Sequence, residues 1–295
     1  MNGSWNPPTD SPYRVPFEGA FSLADSPTTP PDDAEGRKAN EKALKKARKV
    51  IRDVQETMYA DDRYALLLVF QAIDAAGKDG TMRHVLRGVN PAGCQVTSFK
   101  QPSANELEHD FLWRVSKALP QRGRIGVFNR SHYEETLVVR VHPEILGNQR
   151  LPRVDTESIW DDRLAAISAY ERHLAQEGTV ILKFFLNLSN AEQARRFVKR
   201  IDDPEKNWKF SPSDVRERGF WDEYQVAFEE PLRATSQPWA PWYAVPADDK
   251  RYMRRTVAEI VAATLQGLPL RYPQQPAEQR ADMQQLRETL VAESL

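Results

Sequence analysis

The apolar run Leu66-Leu-Leu-Val-Phe70 passes through Gln71-Ala-Ile into Asp74-Ala-Ala-Gly-Lys-Asp-Gly-Thr81, and no other stretch constrains the fold as much. Apolar residues without alternation describe a strand buried on both faces. Small residues then make a turn, a lysine follows the first glycine, and a helical pattern begins directly after. Such a turn lets backbone N–H groups approach an anion, and the helix N-terminus beyond it carries partial positive charge. The usual phosphate-loop pattern is G-x-x-x-x-G-K-[ST]. Aligned on Gly77-Lys78, Ala72 stands at the first glycine and Asp79 at the hydroxyl position. Ala75, Ala76, Gly77, Asp79, Gly80 and Thr81 are therefore expected around bound phosphate, with Lys78 bridging its oxygens. Asp74 is unusual there, because a carboxylate repels phosphate unless a cation intervenes. Asp74 and Asp79 thus point to Mg²⁺, which favours carboxylate and phosphate oxygens. The competing reading is an ordinary strand-turn-helix with small turn residues.

Strand-like runs at 64–70, 95–99, 124–128 and 179–186 alternate with helix-like runs at 81–87, 104–119, 157–176 and 190–201. That alternation predicts an α/β fold with parallel strands and crossover helices. Ser103-Ala-Asn-Glu106 and Ser189-Asn-Ala-Glu192 match the capping box. Three stripes at helical spacing read as core: Leu107, Phe111, Val115 and Leu119; Trp160, Leu164, Ile167, Tyr170 and Leu174; and Ala194, Phe197, Val198 and Ile201. A basic, helix-prone segment at 36–59 leads into this region. The Trp- and Pro-rich segment Thr235–Pro246 is expected to join two further helices, its prolines forbidding a continuous one. Residues 1–35, with seven prolines up to Pro31, read as an extended, mobile arm without a catalytic part, although Trp5, Tyr13 and Phe17 offer surfaces for packing. The expected plan is this arm, one domain over 36–270 with a lid at about 195–225, and a polar tail over 271–295.

The run 124–128 ends in Asn129-Arg-Ser-His-Tyr-Glu134. Ligands gather at the carboxyl ends of parallel strands, so this end belongs beside the loop at 72–80. Arg130 has the bidentate fork for phosphate. Asn129 offers a neutral oxygen or a donor where many phosphate-loop enzymes place a metal-binding Asp. Glu134 is suited to bind a metal or to orient a substrate group. Arg195, Arg196, Lys199 and Arg200 crowd one helix, with Lys206, Lys209, Arg216 and Arg218 after it; 196, 199 and 200 share a face. The place of this run after the fourth core strand matches the lid of nucleotide kinases. Lys250, Arg251, Arg254 and Arg255 read as a surface cluster.

The formal net charge is −1 although 28% of residues are charged, so anion affinity must come from such local clusters. The near-neutral total and the lack of an aromatic stacking motif count against a nucleic-acid partner. The single cysteine, Cys94, excludes an intrachain disulfide and fits a reducing compartment. With no basic and apolar leader and no apolar run near the roughly 18 residues of a membrane helix, a soluble cytoplasmic protein is expected. The five histidines show no metal-ligand spacing.

Asp74-Ala-Ala-Gly-Lys-Asp-Gly-Thr81, Asn129-Arg-Ser-His-Tyr-Glu134, Lys209-Phe-Ser-Pro-Ser-Asp214, Trp221-Asp-Glu-Tyr224 and Ala240-Pro-Trp-Tyr-Ala-Val-Pro-Ala-Asp-Asp-Lys250 together resemble the polyphosphate kinase 2 family over roughly residues 40 to 270. The resemblance implies a thymidylate-kinase-like P-loop fold with a helical lid. It implies phosphoryl transfer between inorganic polyphosphate and AMP, ADP or ATP, with Mg²⁺ or Mn²⁺. It gives Asp74 a metal- and phosphate-positioning role, Lys78 and Arg130 phosphate contacts, and Arg200, Lys209 and Arg218 contacts from the lid. The pairing of Asn129 with Glu134 is similar to the subgroup accepting both nucleoside mono- and diphosphates. A homotetramer is also implied. Two alternatives remain open on the residues alone: a nucleoside monophosphate kinase using ATP, and a non-catalytic module binding nucleotide or nucleic acid.

Overall fold

The structure is a computed structural model that describes residues 8–294; Trp5 lies outside the described residues. The chain runs through α1 (Arg37–Asp61), β1 (Ala65–Gln71), α2 (Lys78–Val85), β2 (Cys94–Ser98), α3 (Ala104–Leu107), α4 (Trp113–Ser116) and β3 (Ile125–Asn129). It continues with α5 (Val138–Val141), α6 (Ile159–Gln176), β4 (Thr179–Asn187), α7 (Asn190–Asp202), α8 (Pro212–Glu217), α9 (Trp221–Thr235), β5 (Trp242–Pro246), α10 (Lys250–Gly267) and α11 (Ala277–Glu293). The five strands form one sheet in the order β2-β3-β1-β4-β5, and every pairing is parallel.

All seven residues of β1 are buried, as an unbroken apolar run requires of a central strand. Each large apolar side chain there contributes roughly 1.5–3 kcal/mol relative to exposure. After β1 the chain moves to one side of it for β2 and β3, then to the other for β4 and β5. The carboxyl end of β1 therefore lies where the strand order reverses, the place where open parallel sheets leave a crevice. Helix α10 packs on both α1 and α2, and α6 packs on α9 and β4.

Five expectations need correction. The helix predicted over 104–119 is two short helices, α3 and α4. Asp110 interrupts them: its carboxylate accepts from Leu112 N at 2.9 Å and its carbonyl accepts from Trp113 N at 3.1 Å. The Pro-rich segment contains a strand, β5, fully buried at the sheet edge beside β4. Pro246 ends it, where a missing donor costs no further pairing.

The Pro-rich arm, from residue 8 onward, is docked on the body. Val15 N donates to Trp242 O at 2.9 Å, and Ala244 N donates to Tyr13 O at 2.8 Å, so the arm covers the open edge of β5. Val15 and Leu23 are buried, and Asn187 Nδ2 donates to the carbonyls of Ser26 and Pro27.

The stripe on α7 is not core throughout: Val198 and Ile201 are exposed, while Gln193, Arg196 and Phe197 form the buried face. Finally, the capping box at Ser103 is complete, but that at Ser189 is not. Ser189 Oγ accepts from Glu192 N, while Glu192 binds Arg195 and Arg196 instead of reaching back. Ser189 N is satisfied by Asp248. Helix α11 is exposed along its whole length, and among the described residues no helix is long and apolar enough to cross a membrane.

Candidate active site

The loop after β1 folds as a concavity of backbone amides. Ala75 and Gly77 take left-handed conformations, with φ of 63° and 104°. Only at Gly77 is that conformation free of steric cost, so a side chain there would strain the turn. The amides of successive residues in such a turn point toward one spot and make an anion nest. Helix α2 starts at Lys78 with Gly77 as its N-cap, three residues before the predicted start at Thr81.

A cavity of about 490 Å³ opens above this loop, lined by Asp74, Ala75, Gly77, Lys78, Asp79, Asn129, Arg130, Arg196, Lys199, Arg200, Lys206 and Lys250. The fold thus brings the loop, the end of β3, the face of α7 and the start of α10 to one cleft. At its floor Lys78 Nζ donates to Ala72 O at 2.7 Å and to Ile73 O at 3.3 Å. Desolvation, with Arg130 adding to it, pushes the Lys78 ammonium down to about 8 against the pull of Asp74, Glu134 and Asp79.

Arg130 also has a left-handed backbone, with φ of 62°, at the end of β3. Its guanidinium donates to Asp74 Oδ1 at 2.8 Å and to Glu134 Oε2 at 3.3 Å. Glu134 first, then Asp74, raise the pKa of Arg130 further. Burial works to raise that of Asp74, but Lys78 and Arg130 outweigh it and keep the carboxyl below its ordinary value. Asn129 acts as a donor: Nδ2 lies 2.8 Å from Asp79 Oδ1.

Among the described residues no group of three His, Cys, Asp or Glu is arranged to hold a metal. The donor set fits Mg²⁺ nonetheless, since that ion binds through one or two carboxylates and takes its other ligands from substrate phosphates and water. Asp74 and Asp79 are the carboxylates lining the cleft, and Asp74 is held ionised by Lys78 and Arg130.

Other predicted site residues are placed differently. Ala76 and Thr81 are buried, and Thr81 Oγ1 is turned into the helix to donate to Gly77 O at 3.0 Å. Gly80 lies on the first turn of α2, next to Asp79, and does not itself line the cleft. Arg218 binds Asn190 and Gln193, at the start of α7, and lines with Trp221, Tyr224 and Phe228 a small adjoining pocket that shares Asp74 and Arg130 with the cleft. It fastens α7 to the α8–α9 segment instead of facing the cleft. Arg200 does line the cleft, and NH1 donates to Asp214 at 3.2 Å. Lys209 ends the short turn Asn207–Lys209 in the lid, and its side chain is outside the described part.

Two supports were not evident from the sequence. Arg196 turns both terminal nitrogens to backbone, Ala76 O at 2.7 Å, Ala247 O at 2.5 Å and Asp248 O at 3.0 Å, while its Nε donates to Glu192. It therefore clamps the loop to the end of β5, and Gln193 adds a bond to Asp74 O. Beneath the Asn129–Glu134 segment lies a buried charged network. Lys183 Nζ, in the middle of β4, donates to Glu171 Oε2 at 2.5 Å, Tyr133 OH at 2.8 Å and Thr235 O at 2.8 Å. Tyr133 OH in turn donates to Glu171 Oε1 at 2.9 Å. Tyr133 lies three residues from Arg130, so this network fixes the segment that carries Arg130 and Glu134. Lys250, read from sequence as surface, lines the cleft from the first residue of α10.

Comparison with known proteins agrees with this geometry. The family model described as Polyphosphate kinase 2 matches residues 34–270. The ADP-polyphosphate phosphotransferase of Rhodopseudomonas palustris is 54% identical over 241 residues, which cover 81% of this chain and 83% of that protein. The AMP/ADP-polyphosphate phosphotransferase of Meiothermus ruber is 43% identical over 266 residues, covering 89% and 95%. A crystal structure of polyphosphate kinase 2 from Arthrobacter aurescens superposes with a TM-score of 0.82 at 37% identity, over 92% of this chain and 95% of that one.

Proposed function

This chain belongs to the polyphosphate kinase 2 family, and we propose that it moves the terminal phosphoryl group of inorganic polyphosphate onto both ADP and AMP in a Mg²⁺-dependent reaction. It is a phosphotransferase whose site is a cationic cleft over a phosphate loop. The observation that carries the reading is the convergence of Lys78, Arg130, Lys199, Arg200, Lys206 and Lys250 on one cavity that holds only two carboxylates, Asp74 and Asp79, among its lining residues. A polyanionic donor needs that excess of positive charge.

Phosphoryl transfer depends on in-line placement and charge neutralisation. A terminal phosphate oxygen of the acceptor attacks the last phosphorus of the chain. The bridging P–O bond breaks, and the shortened polyphosphate leaves as an anion. The attacking oxygen is already deprotonated at neutral pH, so no general base is required. The amides of the loop and Lys78 hold the chain, and Arg130 and Arg200 neutralise the transferring group. Asp74 would hold Mg²⁺, which supplies further neutralisation of phosphate charge. Asn129 sits against Asp79, where a carboxylate would face like charge; with Glu134 on the far side of Arg130, these two residues are assigned to acceptor selection. Assembly as a homotetramer, implied by the resemblance, is checked by light scattering.

Incubation with polyphosphate, Mg²⁺ and either AMP or ADP, followed by nucleotide chromatography, is expected to yield ADP and ATP from AMP, and ATP from ADP. No product from ADP would overturn the reading, and none from AMP would restrict it to diphosphates. Chelation of Mg²⁺ by EDTA is expected to stop both reactions, with recovery on adding the ion back.

The cleft also predicts a pH effect. Partial burial, and then Arg196, Arg254 and Lys199, push the Lys250 ammonium down to about 8, with Glu192 opposing. Lys250 is charged below that pH and loses its proton as pH rises through it. A neutral amine attracts the chain less, so kcat/KM for polyphosphate should decline above pH about 8. Lys78, also brought down to about 8, loses its proton over the same range, so Lys250→Arg, which stays charged, should make the decline shallower without abolishing it; identical profiles would show that Lys250 does not contribute to it.

A further inference from the structure

A second set of cations continues outward from the cleft and takes no part in the mechanism above. Arg254, one turn along α10 from Lys250, lays its guanidinium against the first turn of α2. An added Cβ at Gly80 would come within 3.1 Å of Arg254 NH2, so the missing side chain makes the seat. Arg254 NH1 lies 3.3 Å from His84 Nε2, and Arg48 on α1 donates to His84 O at 2.5 Å. Arg87 follows three residues after His84 and lies beside Arg48, while Arg83 opens on the adjoining groove.

These cations crowd one another without carboxylates. Their neighbours on α10 are matched: Arg251 pairs with Glu41, and Arg255 with Glu35 and Glu259. Among the described residues Arg254 has no such acid, and its buried Nε has no hydrogen-bond partner there. Burial, and then Arg83, Arg196, Arg251 and Arg48, lower its pKa. Burial likewise lowers that of His84, with Arg254, Arg48 and Arg83 adding to the effect although the Gly80 carbonyl opposes it. Packing like charges together is unfavourable unless an anion joins them.

We infer that Arg254, His84, Arg48 and Arg87 form a ledge that binds the distal phosphates of a long polyphosphate chain whose terminal unit occupies the loop at 75–78. The inference rests on polyphosphate being the donor. Its consequence is discrimination by chain length: a long chain engages the loop and the whole ledge together, so loss of the ledge weakens a long donor more than a donor of three phosphates.

The test compares long-chain polyphosphate with tripolyphosphate as donor to ADP, in the wild type, the double variant Arg254→Gln/Arg48→Gln and the surface variant Arg87→Glu. The ratio of kcat/KM for long over short donor should fall about tenfold in the double variant and several-fold in Arg87→Glu. The salt dependence for the long donor should also become shallower by about one unit of slope per cation removed. If both donors lose equally, or if neither ratio nor slope moves, the ledge is wrong. Should the double variant fail to fold, Arg87→Glu decides alone, since Arg87 is exposed. Wild-type protein inert toward both donors would overturn the donor assignment itself, and that failure is read before any variant is made.

Discussion

Replacing Lys78 by Ala should reduce polyphosphate-dependent ATP formation on the order of a thousandfold while the protein stays folded. The size follows from the position of the group. Its ammonium is fixed on the carbonyls of Ala72 and Ile73 at the cleft floor, so its charge is in place before substrate arrives. Removing one preorganised donor from developing charge costs about 10²–10³ in rate, and Lys78 is a full charge beside the transferring phosphoryl group. The fold should lose little, because a lysine whose charged form is disfavoured by desolvation is a poor contributor to stability. Initial rates of ATP formation and the thermal midpoint measured on the same sample separate the two effects. Retained activity would remove the loop from the centre of the mechanism, and a collapsed midpoint would make the residue structural.

The second large effect concerns stability. Lys183→Met should lower the free energy of unfolding by about 3–5 kcal/mol, the usual cost of removing one partner from a buried ion pair. Lys183 is fully buried and Glu171 nearly so. Methionine fills similar volume but leaves Glu171 without its cation and Thr235 O without its donor. The double variant Lys183→Met/Glu171→Gln should recover part of the loss, because the uncompensated charge is gone. Urea unfolding of the three proteins measures this. Equal stability of Lys183→Met and the wild type would mean that the network contributes nothing net. Since Tyr133 is bonded into the network and Arg130 lies three residues earlier, Lys183→Met should also raise KM for nucleotide in the fraction that stays folded.

The parts of the site that are continuous in sequence were legible there. The stretch 66–81 shows a buried strand, a small-residue turn and a lysine in order, and its fold follows from local chemistry. The end of β3 was also readable, because a strand terminus in a parallel sheet has only one place to go. What escaped depends on contacts between distant segments. Lys183 is one polar residue in an apolar strand; its burial follows only from Glu171 on α6 and Thr235 on α9. Thr81 was expected beside bound phosphate, yet the helix begins three residues earlier and turns its hydroxyl inward. Arg196 has the composition of a phosphate ligand and turns its donors to backbone carbonyls and Glu192. Lys250 looked like surface because nothing in its own segment says that β5 precedes it and ends beside the loop. The prolines that hid β5 are tolerable because Pro246 closes the strand and the arm, through Tyr13 and Val15, covers its edge.

The central claim is that polyphosphate itself is the phosphoryl donor at this cleft. Polyphosphate labelled with ³²P, incubated with unlabelled ADP and Mg²⁺ in the absence of any other nucleotide, tests it most directly. Label should appear in the γ position of ATP at a rate proportional to enzyme, and Lys78→Ala should abolish it. Label that stays in polyphosphate or is released only as inorganic phosphate, while the same protein converts AMP and ATP to ADP, would contradict the account.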